Sequence, residues 1–590
     1  MALPPHVVTL VDLLEFSAGA YGPRELFGTK RGETWVYATY AETKTIVDRL
    51  RGGLAALGIS RGDKVGIIAN NRLEWAIGAY ATYGLGGAFV PMYESQLEKD
   101  WVFIIRDSGL KVLFVATPEI YEKVKDLPSS IPTLKHVVRL SGDGPGLSYA
   151  DLLEKGGKAP APLVKPQASD LAGLIYTSGT TGDPKGVLLS HGNVMSNIIA
   201  VQAFLPFDAS DRSLAFLPWA HSFGHTAELH MVVSVGASLG ICDSTDKILQ
   251  YLTEVKPTIL FAVPRIFNRI YGGVQKQIEG RPKPIQALFR AGLAAATRKN
   301  KGQSLGLRER LLLLLAQKLV FSKVVARFGG RLKYTVSGAA ALATEVAEFV
   351  DALGIKVYEG YGLTETSPIT STNVPVARKM GSVGKPIPGV RVVIDRSMMG
   401  PTDESGEIVV YGPNVMQGYH NRPEETRAVF TADGGFRTGD LGYLDDEGYL
   451  YITGRIKEQY KLENGKFVAP APLEEKLKLS PFIANVMIYG DNKPFNVAVV
   501  APNLDAVKQW AASAGVGGNG DLLGNEQVRA KLKEEIDKHS TGFKGYERVR
   551  NFCLVSEDFT QQNDLLTPKL SIKRRNVMAK WGKDIARLYE

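Results

Sequence analysis

The chain has 590 residues, of which 44% are hydrophobic and 22% charged, and its formal net charge is +9. That length exceeds what one core covers, so two or more domains are expected, with the composition of an ordinary globular protein. Two cysteines, Cys242 and Cys553, exclude a disulfide framework and point to a reducing compartment, and no Cys/His spacing suits a metal. The positive charge favours anionic partners such as nucleotide phosphates, coenzymes or acidic lipid headgroups. Nucleic acid is disfavoured, because no zinc finger, RNA-binding signature or aromatic-studded basic stripe is present.

The N-terminal stretch "MALPPHVVTLVDLLEFSAGAYG" lacks a basic start and carries Asp12 and Glu15, so it does not read as a signal peptide. No window reaches the length of a membrane span; "LLLLLAQKLVF" (311–321) is too short and contains Lys318. A cytoplasmic protein is expected, with peripheral contact at an anionic membrane surface as an option. The β-branched runs "DKVGIIANN" and "KVLFVAT" beside helix-like "EWAIGAYATYGLGGAFV" argue for α/β architecture with a parallel sheet. The Pro/Gly-rich segment 142–170 reads as a surface excursion. Residues from about 272 to 330 read as a basic helical insertion with one apolar face.

From about 380 to 455 the pattern shifts to short strands with Gly/Asp turns, and "DDEG" between alternating apolar residues signals a hairpin. A smaller α+β unit with a basic tail follows. The expected organisation is a large N-terminal domain over 1–455, built of α/β subdomains and a small β-rich one, and a mobile C-terminal domain over 456–590.

The stretch "LIYTSGTTGDPKGV" (174–187) combines backbone N–H groups freed by glycine, hydroxyl donors and the charge of Lys185. These are the ingredients of a phosphate cradle. The spacing is not that of a Walker A loop, which disfavours a plain P-loop ATPase.

Six segments in order resemble the adenylate-forming superfamily of acyl-CoA synthetases, luciferases and peptide-synthetase adenylation domains. They are "YTSGTTGDPKG", "LPWAHSFG" (217–224), "VSGAAAL" (336–342), "YEGYGLTET" (358–366), "RTGDLGYLDDEGYLYITGRIKE" (437–458) and "KLENGKFVAPAPLEE" (461–475). The last is similar to the coenzyme-facing hairpin of long-chain members. The resemblance runs from near residue 30 to the C-terminus.

It implies a role for each matched residue. Thr177, Ser178, Gly179, Thr180, Thr181 and Lys185 would hold the β- and γ-phosphates of ATP. Glu365 would bind Mg²⁺, and Thr364 would donate to the α-phosphate. Asp440 would accept the ribose hydroxyls, with Arg455 near the ribose or phosphates. Tyr361 would stack on adenine beside Ala339, Ala340 and Gly360. His221 would orient the acid carboxylate or gate the coenzyme channel, and Gly338 would line the acyl tunnel. Lys457 falls at the domain hinge, and Lys461 matches a residue that enters the site for thioester formation.

The adenylation lysine departs from the family pattern. In "LLTPKLSIKRRN", alignment on Arg574 and Arg575 puts Ser571 where lysine is expected. Read as an extended loop, positions 569, 571 and 573 point the same way, so Lys569 could supply the charge through its long, flexible stem, with Lys573 as the alternative. The resemblance implies a long-chain fatty-acid–CoA ligase with fatty acid, ATP and coenzyme A as substrates. Its rivals are a fatty-acyl-AMP ligase serving a carrier protein and a non-catalytic lipid- or nucleotide-binding relative.

Overall fold

Strands that read as unbroken apolar runs are buried on both faces, as expected for the middle of a parallel sheet. In the computed structural model, which describes residues 2–177, 183–397, 404–516, 522–567 and 570–590, every residue of Ala88–Met92 and Val112–Val115 is buried. They flank Lys64–Ile68 in parallel register. These three strands centre a seven-stranded sheet that ends, on one side, in the antiparallel pair Leu171–Thr177 and Lys185–Ser190 and the short strand Gly418–Tyr419. The helix Leu73–Tyr83 is buried from Trp75 onward, as a helix apolar on every side must be.

The segment expected as a surface excursion instead holds a helix, Tyr149–Lys158, closed at its start by a Ser148/Asp151 capping box. It packs on Tyr40–Ala56 where a Cβ on Gly52 would stand 2.7 Å from the Ala159 carbonyl oxygen. From the other side Gly156, one of the glycines behind the surface-excursion reading, meets the Arg49 carbonyl, so the missing side chains let the two backbones approach.

A second sheet runs Ile259–Ala262, Tyr334–Ser337, Lys356–Gly362, Ile369–Thr372 and Lys385–Pro386. Over it lie the helices Pro264–Glu279, Lys283–Asn300, Leu307–Ala316 and Thr344–Ala352, around a core that includes Phe267, Phe289, Phe321 and Phe349. The helix Leu307–Ala316 does not have one apolar face. Leu313 and Ala316 are buried, while Leu311 and Leu314 are exposed. Consecutive leucines advance by about 100° each, so one face cannot hold them all.

A third, antiparallel sheet of Arg391–Asp395, Gly406–Tyr411, Phe436–Leu444 and Leu450–Arg455 has its own small core of Val392, Ile408, Val410 and Leu450. Its last two strands are joined through the "DDEG" turn, where the Asp445 N–H donates to the Tyr449 carbonyl at 3.0 Å. A fourth sheet pairs Thr34–Thr39 and Glu25–Arg31 with Ser238–Ile241 and Arg212–Ala215. Beyond residue 470 the chain forms separate cores around Ile483–Tyr489, Asn496–Pro502 and Val549–Leu554. The architecture is thus a large N-terminal domain followed by a small C-terminal one. Among the described residues no helix is long and apolar enough to cross a membrane.

Candidate active site

Two sheets meet at Asp440. The residue faces Arg455 across the strand pair, and Arg455 Nε stands 2.6 Å from Asp440 Oδ1. From the second sheet the Tyr361 hydroxyl donates to Asp440 Oδ2 at 2.7 Å. Asp440 is 3% exposed, and burial pushes its carboxyl above the usual range despite the pull of Arg455. The arrangement presents one carboxylate, held from two sides, beside an aromatic ring. That suits a partner with paired hydroxyls and a flat base.

Ala339 and Ala340 leave the neighbouring strand where Ser337 is level with Glu359, one residue before Gly360. Both alanines are exposed, and Ala339 adopts a left-handed backbone with φ +69. Gly360 lies opposite Thr372, with Ser371 O 3.2 Å from where a Cβ would be.

The antiparallel pair Leu171–Thr177 and Lys185–Ser190 ends at Thr177 opposite Lys185. Ser178, Gly179, Thr180 and Thr181 lie outside the described residues. The Lys185 ammonium is paired with Glu425 and stands 5.3 Å from the Tyr419 ring centroid. The Tyr419 hydroxyl donates in turn to Glu365 Oε1 at 2.9 Å. Burial first and then the Glu365 charge push the Tyr419 phenol far above its usual value, so it remains a donor. Lys185 and Glu365 are therefore gathered around one aromatic ring. Tyr419 and Glu425 escaped the sequence reading. Their signal was "GYHNRPEET", in which Pro423 opens a helix with Glu424 and Glu425 in its first turn.

Glu365 belongs to the short turn Thr364–Thr366, whose first residue reaches the other half of the site. The buried Thr364 Oγ1 lies 3.2 Å from Ser222 Oγ, next to His221. The His221 segment is clamped by Asn71, which donates to the Leu217 carbonyl at 2.7 Å and accepts from the Trp219 N–H at 2.8 Å. His221 Nδ1 accepts the Phe223 N–H at 3.1 Å. In the neutral imidazole that leaves the proton on Nε2, a donor suited to a carboxylate. A Cβ on Gly338 would stand 3.3 Å from the Phe223 ring, so any side chain there presses on the same segment.

Lys457 is exposed in the turn after Arg455. Lys461 pairs with Phe467 in a small hairpin, its ammonium 5.6 Å from the Phe467 ring centroid. Lys569 lies outside the described residues. Its surroundings are not the extended loop expected. The Thr567 N–H donates to the Ser571 carbonyl and the Leu570 N–H to the Thr567 carbonyl, each at 2.8 Å, and Leu570 has φ +64. The chain folds back on itself, so the alternation of positions 569, 571 and 573 does not apply. Lys573 is paired with Asp564, which Lys99 also meets at 3.2 Å.

That last contact ties Asp564 to the helix that carries Lys99. Lys99 lies on the helix Glu98–Ser108, and Asp107 of the same helix accepts from the Tyr176 hydroxyl at 2.7 Å. At 1.5 Å per residue, the eight steps from Lys99 to Asp107 span about 12 Å.

A carboxylate with an aromatic platform on one side, and a lysine and second carboxylate around the Tyr419 ring on the other, suit a nucleotide-handling enzyme. The chain belongs to the AMP-binding enzyme family: that family matches residues 17–420, and the AMP-binding enzyme C-terminal domain matches residues 457–590. It is 34% identical to the long-chain-fatty-acid–CoA ligase FadD15 of Mycobacterium bovis over 576 residues, covering 94% of this chain and 92% of the relative. It is 32% identical to the peroxisomal long chain acyl-CoA synthetase 6 of Arabidopsis thaliana over 618 residues, covering 99% of this chain and 87% of the relative. Among solved structures, the adenylation domain of a carboxylate reductase from Mycobacterium chelonae superposes with a TM-score of 0.81 at 22% identity, covering 99% of this chain and 92% of that one. The adenylation domain of the Segniliparus rugosus carboxylic acid reductase, in complex with AMP and a co-purified carboxylic acid, gives 0.79 at 21%, covering 99% and 94%.

Proposed function

We propose that this chain is an AMP-forming long-chain fatty-acid–CoA ligase. The observation that carries the reading is the Thr364–Ser222 contact at 3.2 Å, which joins the nucleotide-facing turn to the His221 and Gly338 side of the site. An enzyme that couples an acid to a nucleotide needs those two sides in contact. The relatives' names support a long acyl chain.

In the first half-reaction a carboxylate oxygen attacks the α-phosphorus of ATP. The new C–O–P linkage forms as the bond to pyrophosphate breaks. Catalysis is then positioning and neutralisation of crowded charge. Thr364 donates to the α-phosphate, and His221 Nε2 orients the carboxylate. Lys185, with Thr177, Ser178, Gly179, Thr180 and Thr181, holds the departing phosphates once it leaves Glu425. Asp440, with Tyr361 and Arg455, fixes the ribose and adenine against Ala339, Ala340 and Gly360.

Glu365, whose Oε1 already accepts a hydrogen bond from Tyr419, is a hard oxygen donor that fits Mg²⁺. Phosphate oxygens of the nucleotide would complete such a site. When bound, Mg²⁺ supplies charge neutralisation on the phosphates. In the second half-reaction the coenzyme A thiolate attacks the acyl carbon and AMP leaves. This step uses Lys461 after rotation of a C-terminal domain that begins near residue 456 with Lys457 at its hinge. The Lys99–Asp564 contact ties the chain just before Lys569 to the N-terminal domain, which supports an adenylate-forming stage with Lys569 as its lysine. Because long-chain acids partition into bilayers, peripheral contact with an anionic membrane belongs to the same reading.

The test is AMP release from an acid panel running from acetate to beyond palmitate, with and without coenzyme A. Acids of about C12 to C18 should be preferred, since each buried CH₂ contributes ~0.8 kcal/mol until the tunnel ends. Faster turnover of acetate or benzoate than of palmitate overturns the chain-length assignment. Adenylate formation with no thioester product, but with transfer to a carrier protein, makes the enzyme an acyl-AMP ligase instead.

A further inference from the structure

Of the twelve large apolar side chains exposed among the described residues, five are leucines of one helical rod. The rod runs Leu307–Ala316, Gln317–Phe321 and Ser322–Ala326. Leu307, Leu311, Leu314, Leu315 and Leu319 are 85%, 59%, 63%, 40% and 48% exposed. Their spacing puts them on one side of the rod. Leu313, Ala316 and Val320 on the other side fill the core beneath it. Isolated exposed leucines are ordinary, but five in one stripe are not.

The charge around the stripe is one-sided. Residues 281–333 contain thirteen lysines and arginines and a single acid, Glu309. All thirteen are exposed, and among the described residues only Arg298, Lys301 and Lys333 have a carboxylate partner. Arg308, Arg310 and Lys318 lie on the rod itself, among the leucines.

We propose that this face docks on an anionic bilayer surface, with the leucines entering the acyl boundary and the lysines and arginines lying over headgroup phosphates. A second copy of the chain would cover the leucines but would bring two nearly acid-free cationic faces together. Nucleic acid would satisfy the cations and leave the leucines in water. An anionic bilayer satisfies both. The proposal gives a surface to the peripheral contact put forward above, and its test reads binding without catalysis.

The experiment is cosedimentation of the full chain with phosphatidylcholine vesicles, with and without about a third phosphatidylglycerol, across a salt series. Two variants accompany it: Leu311→Ser/Leu314→Ser/Leu315→Ser and Lys318→Glu/Lys323→Glu/Arg327→Glu. Because all six side chains are exposed, both should keep the wild-type melting temperature and normal AMP release with water-soluble octanoate. The wild type should bind anionic vesicles in a salt-sensitive way, and each variant should bind at least about tenfold more weakly at ~0.1 M salt. No binding at low salt, equal binding to neutral vesicles, or unchanged binding in both variants overturns the proposal. So does self-association that vanishes in the leucine variant while vesicle binding persists. Vesicle binding without any acid-dependent AMP release sustains this surface while refuting the ligase reading.

Discussion

Replacing Asp440 by Asn keeps the shape of the side chain and removes its charge, which isolates what the carboxylate contributes. In the structure one oxygen faces Arg455 at 2.6 Å and the other accepts from Tyr361 at 2.7 Å. An amide offers one acceptor and turns a donor toward either Arg455 or Tyr361. Arg455 is a donor only, so the amide oxygen will face it and the NH₂ will face the phenol, which can reverse its own hydrogen. Folding should therefore survive, and burial argues the same way, because a buried carboxylate is costlier than a buried amide. Nucleotide recognition should not survive. Hydrogen bonds to a charged acceptor are worth about 1.5–3 kcal/mol each, and two ribose hydroxyls lose that acceptor. Allowing for what a neutral oxygen retains, the loss is ~2–4 kcal/mol, or about 30- to 1000-fold in kcat/KM for ATP.

The assay is acid-dependent ATP–pyrophosphate exchange at varied ATP, with a thermal melt as the folding control. An ATP kcat/KM within about threefold of wild type, with an unchanged melt, would refute the ribose assignment. The raised pKa adds a second readout with a definite sign. The nucleotide needs ionised Asp440, so wild-type kcat/KM for ATP falls on acidification through that raised pKa, whereas Asp440→Asn should lose this acid limb.

Lys461→Ala should impair transfer from supplied acyl-AMP to coenzyme A more than adenylate formation; equal losses in the two half-reactions would remove Lys461 from the thioester step. Lys569→Ala should slow adenylation by at least ~100-fold while transfer survives, and collapse in Lys573→Ala instead would shift the role to Lys573. Gly338→Leu, pressing on the Phe223 ring, should shift the preferred acid to shorter chains; an unchanged panel would take Gly338 off the acyl path. Burial pushes the Glu359 carboxyl up to about 7, so the folded state gives up stability as pH rises from the ordinary carboxylate range toward that value. Glu359→Gln lacks this loss, and its melting temperature relative to wild type should climb between about pH 5 and 8, by up to ~3 kcal/mol of stability. A flat difference across that range would count against a buried, proton-binding Glu359.

Local contacts were legible in the sequence and distant ones were not. Asp440 and Arg455 meet across a single hairpin, with one register shift at Leu441/Gly442 between them and the "DDEG" turn, so sixteen residues of sequence already contain that contact. Thr177 faces Lys185 for the same reason. Tyr419 and Glu365 are separated by 54 residues, and Ser222 and Thr364 by 142. Such pairs depend on how sheets pack, which no short window encodes. Glycine misled in one direction and leucine in another. Gly156 lets two helices touch, yet in sequence it belongs to a segment that reads as a surface excursion. The leucine run covers every direction of its helix, so its period could not say that half of it is left facing solvent. The turn at Thr567–Ser571 shows the same limit at the smallest scale. One left-handed residue, Leu570, cancels a two-residue alternation and with it any register carried across it. The adenylation lysine must therefore be assigned by how each half-reaction responds to Lys569→Ala and Lys573→Ala, because neither spacing nor alternation continues through that turn.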